Sequence, residues 1–427
     1  MPISKEHVLE IARRLARGGS LEELARHLAP VPKSARPFPP DVPRPSDSTA
    51  LGRDRRVAFL RARGVELQQL TGDSPPVDPQ TLRGNIEQYI GMTQIPTGLI
   101  GPLRINGLHA NGDFYVPLAT SEGALVSSYH RGARVVTRAG GVSCLTTVEQ
   151  VQRAPAFVFD SVAQAGLFAA WAAGEFERFI AVAATCSRHA TLADLQVHLE
   201  TRTVYLVFVY RTGDAAGQNM VTTCTDAVCH DLIARTPVPP RHWFVESNLS
   251  GDKKATVLSF QSTRGRKVIA EVTLPRQLVE RALHTTPELM CEYWRLSFIG
   301  GVQSGSIGVS GHIANGLAAM FLACGQDVAC VSEATVGITR IELTPSGDLY
   351  CGVDLPNLIV GTVGGGTRLP TALECLRILG CEGDGHATKF AEVCAATVLA
   401  GEISISGAMC AGHFARAHRQ LGRPGTA

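Results

Sequence analysis

The run "FAEVCAATVLAGEISISGAMCAGHFARAH", residues 390–418, constrains the fold more than any other part of the chain. Its side chains are mostly Ala, Gly, Ser, Cys and Val at helical spacing. A helix surfaced this way lets neighbouring helices approach closely, so it belongs at the centre of a large core. A second run of the same kind, "SGHIANGLAAMFLACGQDVA", spans residues 310–329. The chain can build such a core: it has 427 residues, 45% of them apolar, enough for two or three domains. Many of the 43 glycines lie in apolar context, which points to tight turns and close backbone approach rather than flexible linkers.

The formal net charge is +2, from 40 basic and 38 acidic residues, and gives no case for a nucleic-acid or membrane-surface partner. No unbroken apolar run reaches the roughly 18 residues of a membrane span. The opening "MPISKEHVLEIARRLARGG" carries acids and lacks the apolar region of a secretory signal. Twelve cysteines, from Cys144 to Cys410, include no CxxC pair and read as reduced thiols, not a disulfide frame or metal site. A soluble, cytoplasmic protein is expected.

Residues 6–29 read as two short amphipathic helices, with Ser20 and Glu23 as a capping box for the second. "PVPKSARPFPPDVPRP" follows; seven prolines in sixteen residues exclude helix and central strand and leave a semi-rigid linker. This arm is expected to pack on a neighbouring subunit. "DFYVPLATSEGALVSSYHRGARVVTRAGG" reads as a strand, a turn at Ala119–Ser121 and a long helix whose first turn holds Glu122. Residues 155–245 mix alternating stretches such as "TVYLVFVY" with helical ones, as in a small α+β domain.

Several segments carry candidate chemistry. "ESNLSGDKKATV", residues 246–257, sets two adjacent lysines in a polar loop. "LIVGTVGGGTRLPTALECLRIL" runs a strand through Gly364 and Gly365 into a helix, an arrangement of backbone amides suited to a phosphate. It is neither GxGxxG nor a P-loop. "RTGDAAGQNMV" is a second such turn, where Asp214 and Asn219 could bond a ribose or an amide. Asp327 and His413 stand in apolar helical surroundings where a polar group needs a reason. Together these favour proton and hydride chemistry with a nucleotide cofactor.

The chain resembles the 3-hydroxy-3-methylglutaryl-coenzyme A reductase family, in the catalytic part of its eukaryotic and archaeal form. The segments that carry the likeness, in family order, include "EQYIGMTQIPTGLIGPL", "VPLATSEGALVSSYHRGAR", "RTGDAAGQNMV", "SGDKKA", "HIAN", "ACGQD", "GTVGGGT" and "LAGEISISGAMCAGHFARAH". The resemblance implies Lys253, Glu122, Asp327 and His413 as the catalytic set. It implies NADPH as cofactor, against Ser187, Arg188, Asp214, Asn219, Gly364 and Gly365. Arg188 would meet the 2′-phosphate. The acyl-CoA substrate would meet Glu87, Arg153, Asn248, Asp252, Lys254, His312 and Asn315; no metal is implied.

Three positions depart from the family pattern: Leu296 stands where a substrate lysine is usual, Glu246 where a serine is, and Gln88 where an asparagine is common. Arg295 is adjacent to Leu296 but about 100° away around a helix. The departures leave a second reading, a homologue acting on another acyl thioester, and a third, a non-catalytic nucleotide-binding scaffold. The implied fold is α+β or α/β multidomain. It has a helical arm and linker (1–85), a large mixed α/β substrate domain with a central helix (86–153 and 251–427), and an inserted ferredoxin-like NADP(H) domain (154–250). A homodimer or dimer of dimers with its site at the subunit interface is expected.

Overall fold

The computed structural model of the chain describes residues 20–43, 47 and 49–413. The first of the two expected N-terminal helices lies outside these residues. The second forms as α1 (Leu21–Leu28), with Ser20 Oγ accepting from Glu23 N at 3.2 Å and Glu23 Oε2 accepting from Ser20 N at 2.6 Å. Helix α2 (Ala50–Arg61) follows the proline run.

Ten strands form one sheet in two parts: β1 (Thr97–Gly107), β2 (Asn111–Ala119), β3 (Val142–Arg153), β4 (Ala156–Val158), β5 (Thr191–Glu200), β6 (Thr203–Arg211), β7 (His242–Phe244), β8 (Gly265–Leu274), β9 (Ile338–Leu343) and β10 (Leu349–Leu358). The larger part is ordered β2-β1-β3-β8-β10-β9, antiparallel except where β1 runs parallel to β3. Strand β3 joins the parts. Its body pairs with β1 and β8, and its end, Val151 to Arg153, pairs with β6 in the smaller β5-β6-β4-β7 part. Arg153 therefore already pairs in the smaller part, which the chain then enters through β4.

Helix α3 (Leu125–Arg138) follows β2; α4 (Val162–Gly174), α5 (Phe176–Cys186) and α6 (Gln218–Arg235) accompany the smaller part. The larger part carries α7 (Arg276–Leu283), α8 (Pro287–Ser304), α9 (Ile313–Ala323), α10 (Val331–Ala334), α11 (Pro370–Ile378) and α12 (Ala387–Cys410). Helix α12 is the small-residue run read from the sequence, and it packs against α3, α9 and strands β3, β8 and β10. By length and composition it could cross a membrane, yet 83% of its most apolar window is buried inside the protein. A Cβ on Gly132 of α3 would overlap the Ala400 carbonyl, so that helix contact exists only because the residue is glycine.

Two glutamates sit in the buried surface of α12. Glu392 accepts from the His109 and Ala110 amides, and Glu402 from those of Gly311 and His312. Burial pushes both carboxyls up to about 7. All twelve cysteines are free, nine of them buried.

The proline segment lies on its own chain. The reason is a buried arginine. Arg104, 2% exposed in β1, needs acceptors, and it donates to the carbonyls of Arg36 (3.2 Å) and Pro37 (2.8 Å) as well as to Asp113. Tyr115 Oη adds a 2.6 Å bond to the Pro40 carbonyl. A proline-rich strand has carbonyls that its own amides cannot use, so it suits this service.

Candidate active site

The two-lysine loop is held from below by a buried charge network. Arg264, 1% exposed at the head of β8, donates through Nε to Glu333 Oε2 (2.8 Å), through one terminal nitrogen to the Gln152 carbonyl (2.7 Å) and through the other to Asp252 Oδ1. Glu333, 0% exposed in α10, gives its second oxygen to the Lys253 amide at 3.0 Å. Burial pushes the Glu333 carboxyl up and the Arg264 charge opposes it. This clamp holds Lys253 at φ +57, a left-handed conformation uncommon for a lysine.

From that fixed backbone the Lys253 side chain reaches Asp327 Oδ2, 2.8 Å away. The hydrogen bond raises its pKa, so the group is an ammonium at neutral pH. Asp327 is fixed in turn, its other oxygen accepting from the Ala329 amide at 3.0 Å. The preceding residues pack on the second glycine turn: Cβ atoms on Gly325 and Gly366 would each strike the other's carbonyl, and Gln326 Oε1 accepts from Gly361 N at 2.8 Å. The lysine–aspartate pair is thereby tied to the GTVGGGT turn.

The two glycine turns touch. The Thr362 amide donates to the Asp214 carbonyl at 2.9 Å, and Ala215 bridges Val363 in parallel fashion. The Asp214 carboxylate bonds neither turn's open face. It accepts from Gly385 N (2.7 Å) and Ala387 N (3.0 Å), capping the start of α12. Gly364 and Gly365 have positive φ and no atom within 4 Å of where a Cβ would stand, an exposed cradle free for a ligand. Asn219 is exposed in the first turn of α6, and its neighbour Met220 receives a 2.9 Å bond from Ser187 Oγ. Arg188 is exposed and has no ion pair among the described residues. An open cradle and an uncommitted guanidinium fit a phosphate-bearing dinucleotide.

Glu122 sits elsewhere. The helix expected to begin near Ser121 begins at Leu125, because Ala124 adopts φ +71, and Glu122 lies in the turn before it. Its carboxylate accepts from Asn315 Nδ2 at 2.6 Å. Asn315 is at the start of α9 and Asp327 lies beyond its end; the eight residue steps from Asn315 to Ala323 alone span about 12 Å. Among the described residues no hydrogen bond or ion pair joins Glu122 to Lys253 or Asp327. His413, just past α12, stacks edgewise on His284 with ring centroids 5.8 Å apart.

The remaining candidates divide. Arg153, 5% exposed, is shared by Glu246 and Asp252, each 3.1 Å away. Glu246 is itself embraced by the Ser247 and Asn248 amides and the Ser250 hydroxyl, so it shapes the loop. Asn248 is at φ +67, and exposed Lys254 turns back to the Asp252 carbonyl. Glu87 and Gln88 are exposed. His312 stacks on Tyr129 at 4.7 Å, and burial pushes its pKa down to about 4, leaving a neutral ring. Leu296 is 57% exposed on α8, and Arg295 pairs with Glu292.

A further group escaped the sequence reading. One face of α3 carries His130, Arg131, Arg134 and Arg138 around a cleft of about 250 Å³. Arg131 is tied to Ser404 by two bonds, while Arg134 meets Asp41 of the proline strap at 2.8 Å. The signal was present as basic residues three and four apart in "HRGARVVTR", on a helix read only for Glu122 in its first turn.

Comparison with known proteins gives a consistent result. The sequence model of a family described as hydroxymethylglutaryl-coenzyme A reductase matches residues 52–423. A 3-hydroxy-3-methylglutaryl-coenzyme A reductase of Pyrococcus abyssi is 43% identical over 378 residues, covering 86% of this chain and 92% of its own. The enzyme of that name from Methanocaldococcus jannaschii is 41% identical over 375 residues, covering 86% and 92%. Among solved structures, the class II reductase from Streptococcus pneumoniae bound to NADPH superposes with a TM-score of 0.67 at 18% identity, over 83% of this chain and 96% of that one.

Proposed function

The chain belongs to the hydroxymethylglutaryl-coenzyme A reductase family, and we propose that it reduces 3-hydroxy-3-methylglutaryl-CoA to mevalonate and CoA with NADPH. The observation that carries this reading is the Lys253–Asp327 pair at 2.8 Å, tied by the Gly325–Gly366 contact to the open glycine cradle. Bound NADPH supplies hydride, twice, with a hemithioacetal and an aldehyde as the successive substrate species. Each transfer leaves negative charge on a carbonyl oxygen, and the Lys253 ammonium stabilises that charge more in the transition state than in the ground state. Asn315 orients Glu122 to deliver a proton to that oxygen, and His413 protonates the departing thiolate. Arg188, Ser187, Asn219, Gly364 and Gly365 hold the cofactor; Asp214 holds their turn in place. Arg153, Asp252, Asn248 and Lys254 border the acyl group, and the basic face of α3 receives the phosphates of CoA.

The separation of Glu122 from Lys253 within one chain supports a homodimer whose site takes groups from both subunits. The division into 86–153 with 251–427, and an inserted 154–250 for the cofactor, agrees with the two-part sheet joined through β3. The test is direct. Purified protein with NADPH and 3-hydroxy-3-methylglutaryl-CoA should consume two NADPH per mevalonate formed, read from the nicotinamide absorbance and product analysis. Oxidation with a different acyl thioester but none with this one would overturn the substrate assignment.

A further inference from the structure

The basic cleft on α3 has more unsatisfied polar atoms than its surroundings explain. His130 is 7% exposed and neither ring nitrogen has a hydrogen-bond partner; the same holds for buried Arg134 Nε and Asp41 Oδ1. Buried polar atoms without partners are costly, and several in one cleft mark a place built for a polar occupant. Asp41 is the odd member. It arrives from the proline strap, and its carboxylate lies 2.8 Å from Arg134 and 3.8 Å from His130 Nε2. The family match begins at residue 52, so the cleft's basic residues fall within it while Asp41 comes from outside.

We propose that Asp41 is a built-in competitor for the anionic part of the ligand, held by the strap against Arg134 at the edge of the cleft so that it sets the cleft's affinity for phosphate. The proposal rests on the reading of this cleft as the seat of the CoA phosphates. The strap is fixed on both sides of Asp41: the Pro40 carbonyl accepts from Tyr115 Oη at 2.6 Å, and Val42 is 1% exposed. Pro39, Pro40 and Pro43 restrict the backbone, so the carboxylate is presented with little entropy left to lose. Arg131 is committed to Ser404 and the Arg138 guanidinium lies over the Phe38 ring at 5.4 Å, which leaves Arg134 as the guanidinium a ligand would recruit. The Asp41–Arg134 pair is partly exposed, 35% and 33% at the two side chains, and therefore weak enough for a phosphate to displace.

The experiment measures binding of CoA by titration calorimetry to the full chain and to its Asp41→Asn and Arg134→Gln variants. Asp41→Asn keeps the size of the side chain and should tighten CoA binding about two- to fivefold, the worth of one partly exposed ion pair. The KM for the acyl-CoA should fall by a similar factor, while NADPH affinity stays as it was. Arg134→Gln should weaken CoA binding. If Arg134→Gln weakens CoA but Asp41→Asn leaves it unchanged or weaker, the competitor is refuted and the cleft assignment stands. If Arg134→Gln leaves CoA binding unchanged, the cleft assignment fails and the competitor falls with it.

Discussion

Arg264 with Glu333 and Asp252, beneath the lysine loop, and Arg134 with His130 and Asp41, beside α3, are both clusters of cations and carboxylates, and they differ in what is left over. Every nitrogen of the Arg264 guanidinium has an acceptor, and both Glu333 oxygens have a donor. In the α3 cleft four buried polar atoms have none. A charge cluster that satisfies itself is scaffolding, because nothing remains to offer a ligand and much would be lost by breaking it. A cluster with open valences is cheap to alter and available to bind.

The comparison can be broken most severely at the scaffold. Arg264→Met leaves Glu333 buried without its cation and should cost about 3–5 kcal/mol of stability, measured by denaturant unfolding; a loss below 1 kcal/mol would mean that the network is not what holds the loop. Lys253→Ala stands on that scaffold without belonging to it. It should leave unfolding unchanged and lower kcat by a few hundred-fold, about 3–4 kcal/mol of transition-state stabilisation. Retained turnover in a folded Lys253→Ala protein would remove the lysine from the mechanism.

A third test separates carboxylates with a cation from those with neutral donors alone. Glu392 and Glu402 have folded pKa values of about 7 against an ordinary 4.5. Between those values the folded state binds more protons than the unfolded one, so stability is greatest below about 4.5 and is lost as pH rises through 7. The slope for each group is at most about 1.4 kcal/mol per pH unit. Unfolding measured across this range should show it, and Glu402→Gln should reduce it. The smallest effect belongs to the cleft: Arg134→Gln should change stability by less than about 0.5 kcal/mol, since its pair is half in water. A larger loss would make the cleft a second scaffold.

What could be read from the sequence follows the range of the forces involved. The capping box at Ser20 and the two glycine turns depend on a few consecutive residues, and they form where the sequence places them. Glu122 was put one turn too far into its helix because Ala124 takes a positive φ that nothing local demands. Asp214 read as a cofactor ligand because its turn is polar; its partners are amides at positions 385 and 387. Arg264 and Glu333 drew no notice, since each alone is an ordinary charged residue, and only their separation by 69 positions closed to 2.8 Å makes them a clamp.

The sequence by itself determined that a small-residue helix would be the centre, that glycine turns would follow two of the strands and that two lysines would share a polar loop, because these rest on side-chain size and local backbone freedom. The family followed from the same ordered motifs. The tertiary structure decided which charges are spent and which are free. It gave Arg153 to Glu246 and Asp252, tied Lys253 to Asp327, and drew the proline strap across Arg104 to set Asp41 against Arg134. The reason is that a buried charge must be matched wherever the fold brings a partner, and such partners come from distant parts of the chain.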